Sequence, residues 1–211
     1  MVAFSLYELF RMGGVFMWPL LVFSIAACAI ALERFIYLLS RKLHIEKISP
    51  DIIALCERGA FSEAKESLDA IKKRAPYADI ILLAIEKKDL SEAHLEKTLE
   101  NEAGELINKF EAGFDYLTAI GSLAPLTGFL GTVSGMIGAF RSIAEATEVN
   151  AQIVANGIYE ALITTVFGLI IAIIAMVSHS LLSHIVNAFS IKLEKALTGL
   201  IIVLKSGTEQ A

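Results

Sequence analysis

Basic tracts are missing from this sequence. Its 18 Lys and Arg stand against 23 Asp and Glu, a net charge of −5, and no stretch could neutralise a run of phosphates, so nucleic-acid binding has no footing. Cysteine is equally scarce. Cys28 lies in an apolar run and Cys56 in a charged block, so the two would sit in different phases and could not pair, which excludes a disulfide framework. The four histidines, His44, His94, His179 and His184, show no HExxH or Cys/His cluster spacing, so no metal site is indicated. Neither a Ser/His pair nor a paired Asp recurs across the apolar runs; catalytic residues, cofactors and enzyme activity are not expected. The segment Gly59–Lys65 has the flavour of a helical repeat, but one copy makes no array.

What the chain has in quantity is apolar surface. Hydrophobic residues make up 55% of it and its mean hydropathy is +0.64, well above the apolar share of a soluble domain. Most of the charge is confined between Glu33 and Asp115, so the chain alternates between membrane and water. The expected class is an all-α membrane protein: three transmembrane helices, long helical extensions into the cytoplasm and a small cytoplasmic helical domain.

In order, residues 1–12 form an interfacial lead, with Phe4, Leu6, Leu9 and Phe10 beside Glu8 and Arg11. Residues 13–33 form the first span, with Trp18 near its beginning and Tyr37 just past its end as candidate interfacial aromatics. The uncharged run from Met12 to Leu32 is too long for a cleaved signal and no small-residue cleavage motif follows, so it is expected to stay as an anchor. Residues 34–115 form the cytoplasmic domain. Ser49-Pro50-Asp51 starts a helix that Gly59 stops, Ser62-Glu63 starts another that ends near Lys72-Lys73-Arg74, and a third runs from about Tyr77 to Lys88. Ser91 caps a longer helix carrying Leu95, Leu99, Leu106 and Phe110. No proline or glycine pair interrupts it before Asp115, so one rod continuing into the second span is expected. The second span covers residues 116–140 and a short polar return residues 141–157, where Arg141 faces Glu145 and Glu148. The third span covers residues 158–182, and the apolar period continues through Leu182, Val186 and Leu193 to Leu204 within a cytoplasmic helix and tail, residues 183–211. Arg34, Arg41, Lys42 and Lys47 after the first span, and Lys192, Lys195 and Lys205 in the tail, outweigh the single Arg141 of the return. The domain and C-terminus are therefore read as cytoplasmic and the N-terminus as periplasmic.

At about 100° per residue, Gly121, Ala124, Gly128, Gly131, Gly135 and Gly138 form one small strip on the second span, with Pro125 and the hydroxyls of Thr127, Thr132 and Ser134 on it or beside it. Lipid tails give helices no hydrophobic reason to associate, so such a strip is useful where another backbone comes close. Helix contact plus a proline bend would account for it without any further function. The third span repeats the design. Gly157, Glu160, Ala161, Thr164, Gly168, Ala172, Ala175 and Ser178 share a small, polar face, with Thr165 at its margin and Leu162, Ile163, Val166, Ile170 and Ile173 elsewhere. A carboxylate within a span faces a bundle interior or water and is a functional hypothesis by default; the plainer reading is an interfacial acid at a helix start.

The segments Leu123-Ala-Pro-Leu-Thr-Gly-Phe-Leu-Gly-Thr-Val-Ser-Gly-Met-Ile137 and Gly157-Ile-Tyr-Glu-Ala-Leu-Ile-Thr-Thr165 closely resemble the signature of the MotA/TolQ/ExbB proton-channel family, in its TolQ/ExbB branch. The resemblance extends over nearly the whole chain and says least between Ile45 and Glu111. It implies a bacterial inner-membrane subunit, a homopentamer around a dimer of single-span ExbD/TolR-type partners, working with a TonB/TolA-type protein to turn proton-motive force into work on the outer membrane or envelope. The family's polar residues fall on Thr132, Glu160 and Thr165, with Thr164 beside them. The partner is then expected to bring the aspartate-bearing helix. Three spans instead of the four of MotA-type stators make flagellar torque a poorer match. ExbB-like, TolQ-like and gliding-type work, and H⁺ against Na⁺, stay open.

Overall fold

The computed structural model describes residues 6–41, 43, 45, 49–145 and 151–206, and among these every regular element is a helix. The roles read on Phe4, Lys42, His44, Lys47 and Glu148, the side chains of Leu6 and Ser49, and the end of the tail lie outside the described residues. The helices are α1 (Leu6–Met12), α2 (Met17–Ser40), α3 (Ser49–Glu57), α4 (Phe61–Ile71), α5 (Tyr77–Glu86), α6 (Glu92–Glu111), α7 (Phe114–Glu145) and α8 (Ala151–Ser206). Three are long and apolar enough to cross a membrane: α2, α7 and the stretch of α8 from Gly157 onward. At about 1.5 Å per residue even the 24 residues of α2 reach about 36 Å, against a hydrocarbon core of about 30 Å. The protein is an all-α membrane protein.

The chain divides into two units. The first comprises residues 1–33 and 113–180, the second residues 34–112 and 181–211. In the first, the branched side chains point outward: Val22, Ile25 and Leu32 of α2, Phe129 and Ile137 of α7, and Val166 and Ile173 of α8 are all exposed. Such faces are suited to lipid, where exposing an apolar group costs nothing. Inside lie the small residues Gly121, Ala124, Gly128, Gly131, Ala161, Ala172 and Ala175.

The second unit is held by an ordinary apolar core. Leu95, Leu99 and Phe110 of α6 are buried as their spacing predicts, and so are Leu182, Val186, Leu193 and Leu204 of α8. The third apolar run therefore does extend as helix far beyond its span. Tyr77, Phe110 and Phe189 form an aromatic cluster, with centroids 5.5 Å apart for the two phenylalanines and 6.2 Å for Tyr77 and Phe189, and Tyr37 meets Phe110 edge-on at 6.1 Å. Basic residues after the first span hold α-helix ends. The Arg41 guanidinium donates to the Lys73 carbonyl at 3.2 Å and lies over the Tyr37 ring, and Arg34 donates to the Lys109 carbonyl at 3.1 Å. From the tail, the Lys205 ammonium donates to the carbonyls of Lys88 and Leu90.

Gly59 ends α3 as its position predicts. It adopts φ +75°, the Ala60 N–H donates to the Leu55 carbonyl at 2.9 Å and the Gly59 N–H to the Cys56 carbonyl at 3.1 Å, a Schellman arrangement that satisfies the last carbonyls. Two expectations fail. Ser91 stands at the N-cap of α6, yet its hydroxyl makes no capping bond and instead lies 2.6 Å from His94 Nδ1. The imidazole three residues on competes for the hydroxyl that would have served the backbone. The single rod is also broken: α6 stops at Glu111 and α7 starts at Phe114, because Ala112 turns to ψ 127° and Gly113 takes φ +90°. One glycine suffices for a left-handed residue, so the lack of a pair or a proline was no guarantee of continuity. Within α7, by contrast, Pro125 is accommodated without ending the helix.

Candidate functional site

The site is built where α7 meets α8 in the first unit. A Cβ placed on Gly121 would reach toward the Ala172 carbonyl, one on Gly128 would come within 2.7 Å of the Thr164 carbonyl, and one on Gly135 within 3.1 Å of the Gly157 carbonyl. As the number climbs along α7 it falls by nearly equal steps along α8, so the helices are antiparallel and backbone touches backbone. The second helix contributes its own gaps, since a Cβ on Gly168 would stand 2.6 Å from the Ala124 carbonyl and one on Gly157 2.8 Å from Ala139 Cβ. Gly138 has nothing within 4 Å of its Cβ position and takes no part in this contact. The two small faces that spacing places on the second and third spans are thus turned toward each other within one chain.

Thr164, only 1% exposed, sits at the centre of that contact. Its hydroxyl lies 2.8 Å from the Ala161 carbonyl in its own helix and 3.2 Å from the Gly128 carbonyl across the gap, and the Thr165 hydroxyl donates to the same Gly128 carbonyl at 3.2 Å. Without a side chain on Gly128 or Gly131, both threonines reach α7 backbone. Thr132 donates to Phe129 within α7 at 2.6 Å and stays half-buried. The antiparallel register puts Thr132 level with the turn between Glu160 and Thr165, so the three lie within about 8 Å along the axis.

Glu160 is half-buried and faces elsewhere. It lines a cavity of about 310 Å³ with Ser134, Gly138 and Ser142 of α7 and with the residues between α1 and α2. None of the threonines lines that cavity; their hydroxyls are committed to carbonyls, whereas Ser134 has no hydrogen-bond partner among the described residues. The structure therefore brings Thr164 and Thr165 together on one carbonyl, keeps Thr132 nearby on its own helix, and does not place the Glu160 carboxylate among them.

Spacing alone missed the third wall of this cavity. Gly13 and Gly14, read as the beginning of the first span, form the turn before α2, with Gly14 at φ +66°. A Cβ on Gly14 would overlap Glu160 Oε1. The signal available in the sequence was the Gly13-Gly14 pair itself, since adjacent glycines ahead of an apolar run suit a turn better than a helix. No group of three His, Cys, Asp or Glu side chains converges among the described residues.

Comparison with known proteins adds to this geometry. The profile of the MotA/TolQ/ExbB proton channel family matches residues 66–195. An ExbB-like biopolymer transport protein of Synechocystis sp. is 31% identical over 169 residues, covering 76% of this chain and 77% of its own. The biopolymer transport protein exbB1 of Vibrio cholerae is 31% identical over 202 residues, 92% of this chain and 86% of that one. The Tol-Pal system protein TolQ of Pseudomonas aeruginosa is 40% identical over a shorter stretch of 72 residues, 34% of this chain and 31% of that one.

Proposed function

The chain belongs to the MotA/TolQ/ExbB proton channel family, in its TolQ/ExbB branch, and from that membership we propose that it is the multi-span subunit of an inner-membrane complex that couples the proton-motive force to work on the outer membrane or cell envelope. It works as a homopentamer around a dimer of single-span ExbD/TolR-type partners, with a TonB/TolA-type protein as the element that receives the work. It is a channel and transducer subunit, not an enzyme.

One observation carries this reading: Glu160, an ionisable side chain within an apolar stretch of α8, lines a cavity that it shares with the hydroxyl-bearing Ser134 and Ser142. Protonating a carboxylate there removes a charge, and with it one electrostatic reason for a neighbouring helix to keep its position. Moving one elementary charge through the membrane potential supplies about 2.3 kcal/mol per 100 mV, enough to bias a helix rearrangement of a few kcal/mol. Thr132 and Thr165, within about 8 Å of Glu160 along the axis, donate to the Phe129 and Gly128 carbonyls, and would join a proton relay only by exchanging those bonds for ordered water.

Glu160→Gln keeps size and most hydrogen bonding while abolishing titration. The variant should assemble with its partner yet lose energy-dependent work, measured by complementation alongside partner pull-down. Normal work would end the proton-site reading, and failed assembly would reassign Glu160 to structure. The proposed orientation has the N-terminus periplasmic and the second unit and C-terminus cytoplasmic; an impermeant thiol reagent that labels Ser62→Cys in unbroken cells would reverse it.

A second reading is favoured by a specific observation. Gly121 to Gly135 meet α8 of the same chain and both Thr164 and Thr165 are spent on backbone carbonyls, as a purely structural membrane scaffold would require. Proton flux in vesicles that hold both subunits separates the two, because a scaffold alone conducts nothing.

A further inference from the structure

The cavity beside Glu160 is more than the carboxylate's surroundings. One wall is α7, through Ser134, Gly138 and Ser142; another is α8, through Gly157 and Glu160; the third is the turn between α1 and α2, through Gly13, Val15 and Phe16. Its 310 Å³ has room for on the order of ten water molecules at about 30 Å³ each. Water stays in a cavity only where it finds polar partners, and here they are the Glu160 carboxylate, the Ser134 hydroxyl and the Ser142 hydroxyl, the last also donating to the Gly138 carbonyl at 3.0 Å. All three walls come from the same end of the helices, the end at which α7 stops and α8 starts.

We propose that the proton reaches Glu160 through this cavity, inside its own subunit, with the Gly13–Gly14 turn as the lid that positions the carboxylate in it. The proposal rests on the reading of Glu160 as the titrating group. The step is simple: a hydronium ion held among the cavity waters gives its proton to the carboxylate, an O–H bond forms on Glu160, and a water molecule is left behind. Release toward the partner reverses that bond once the potential has acted.

The lid is specified by glycine for two separate reasons. Gly14 takes a φ of +66°, which side chains disfavour, and a Cβ there would displace the Glu160 carboxyl group from its seat. Gly13 is constrained differently, since a Cβ on it would press on the Met17 side chain, 2.5 Å from its Cγ, and approach Ile163 of α8. The turn thus contacts both the carboxylate and the helix that bears it. It is a positioning element, acting through Glu160.

The test uses the assembled complex in sonicated membranes, which expose both faces so that orientation does not enter. In a background lacking Cys28 and Cys56, single cysteines are placed at Ser134, Gly138 and Ser142 in the cavity and at Ile137 on the exposed branched face of α7. A charged methanethiosulfonate should label the three cavity positions at least tenfold faster than Ile137→Cys, and the adduct should cut proton flux until a reductant removes it. Gly14→Ala should lower flux while the complex keeps its size, and Gly14→Ala/Glu160→Asp should recover part of the loss, because the shorter acid withdraws from the new methyl. Cavity cysteines that label no faster than Ile137→Cys, or that label without effect on flux, overturn the route even if Glu160→Gln is inactive. A fully active Glu160→Gln removes the destination, whatever the labelling pattern. An unrescued Gly14→Ala confines the glycine's role to the backbone and overturns the lid.

Discussion

Replacing Gly128 by alanine tests the α7–α8 contact where backbone meets backbone. The new Cβ would lie 2.7 Å from the Thr164 carbonyl oxygen and 3.0 Å from Thr165 Cα, and both obstacles are backbone that no rotamer change can move aside. An ordinary carbon–oxygen contact needs about 3.3 Å or more, so the helices must part by roughly half an ångström or slide. Both threonine hydroxyls reach the Gly128 carbonyl at 3.2 Å, and that much separation takes them past 3.5 Å, where the hydrogen bond is lost. In membranes such bonds are worth about 0.6 kcal/mol each on average, and forced overpacking costs about 1–3 kcal/mol. Against this stands the gain of about 1 kcal/mol for alanine over glycine in a helix. The net is a destabilisation of about 1–3 kcal/mol. Gly138→Ala, ten residues along the same strip, meets nothing within 4 Å and should be neutral or stabilising by up to about 1 kcal/mol. Thermal unfolding of the purified complex in one detergent, each variant against the parent, reads the difference as a lower midpoint for Gly128→Ala alone. Equal midpoints for the two variants would refute the register, and with it the placement of Thr132 level with Glu160.

Gly113→Ala should destabilise by about 1–2 kcal/mol, because φ +90° is hostile to a side chain and the Cβ would also stand 3.2 Å from Ile30 Cγ2; Gly104→Ala, with φ negative and open space around it, supplies the control in the same unfolding assay. Alkaline pH should weaken the second unit. Burial raises the Cys56 thiol and the Tyr77 phenol above their ordinary ranges, so the unfolded chain ionises first and the folded one resists; the stability they contribute is intact below about pH 9 and is lost as pH climbs through the folded values. Unfolding midpoints from pH 7 to 11 should fall more steeply for the parent than for Cys56→Ala/Tyr77→Phe, and parallel slopes would discount both groups.

The helices were legible because their causes are local. Uncharged runs long enough to cross a membrane, leucines at helical spacing in α6 and α8, and Gly59 as a stop each act over one or two turns, so the residues themselves state the outcome. The breaks were less so. Ser91 and Gly113 each follow from competition between near-equal local alternatives, a hydroxyl choosing His94 over a backbone N–H and a lone glycine tipping into the left-handed region.

The site was legible by face and illegible by neighbour, and the difference is physical. Period alone puts Gly128, Gly131, Thr164 and Gly168 on small faces, but a small face says only that something comes close, not what. In this chain each such face is satisfied by the other, with antiparallel backbone filling the gaps. That leaves Glu160, one turn from Thr164 in sequence, pointing past the edge of the contact into a cavity finished by Gly13 and Gly14, about 150 residues away along the chain. No periodicity couples positions so far apart; only the fold does. If the glycine faces are already occupied within the subunit, then whatever surrounds a partner helix is drawn from the remaining surface of α7 and α8, where Thr132 is half-buried and Ser134 exposed. The polar residues that family membership draws attention to are therefore divided by the geometry, Thr164 and Thr165 tying the helices together, Thr132 bonded within its own helix, and Glu160 lining a cavity with Ser134.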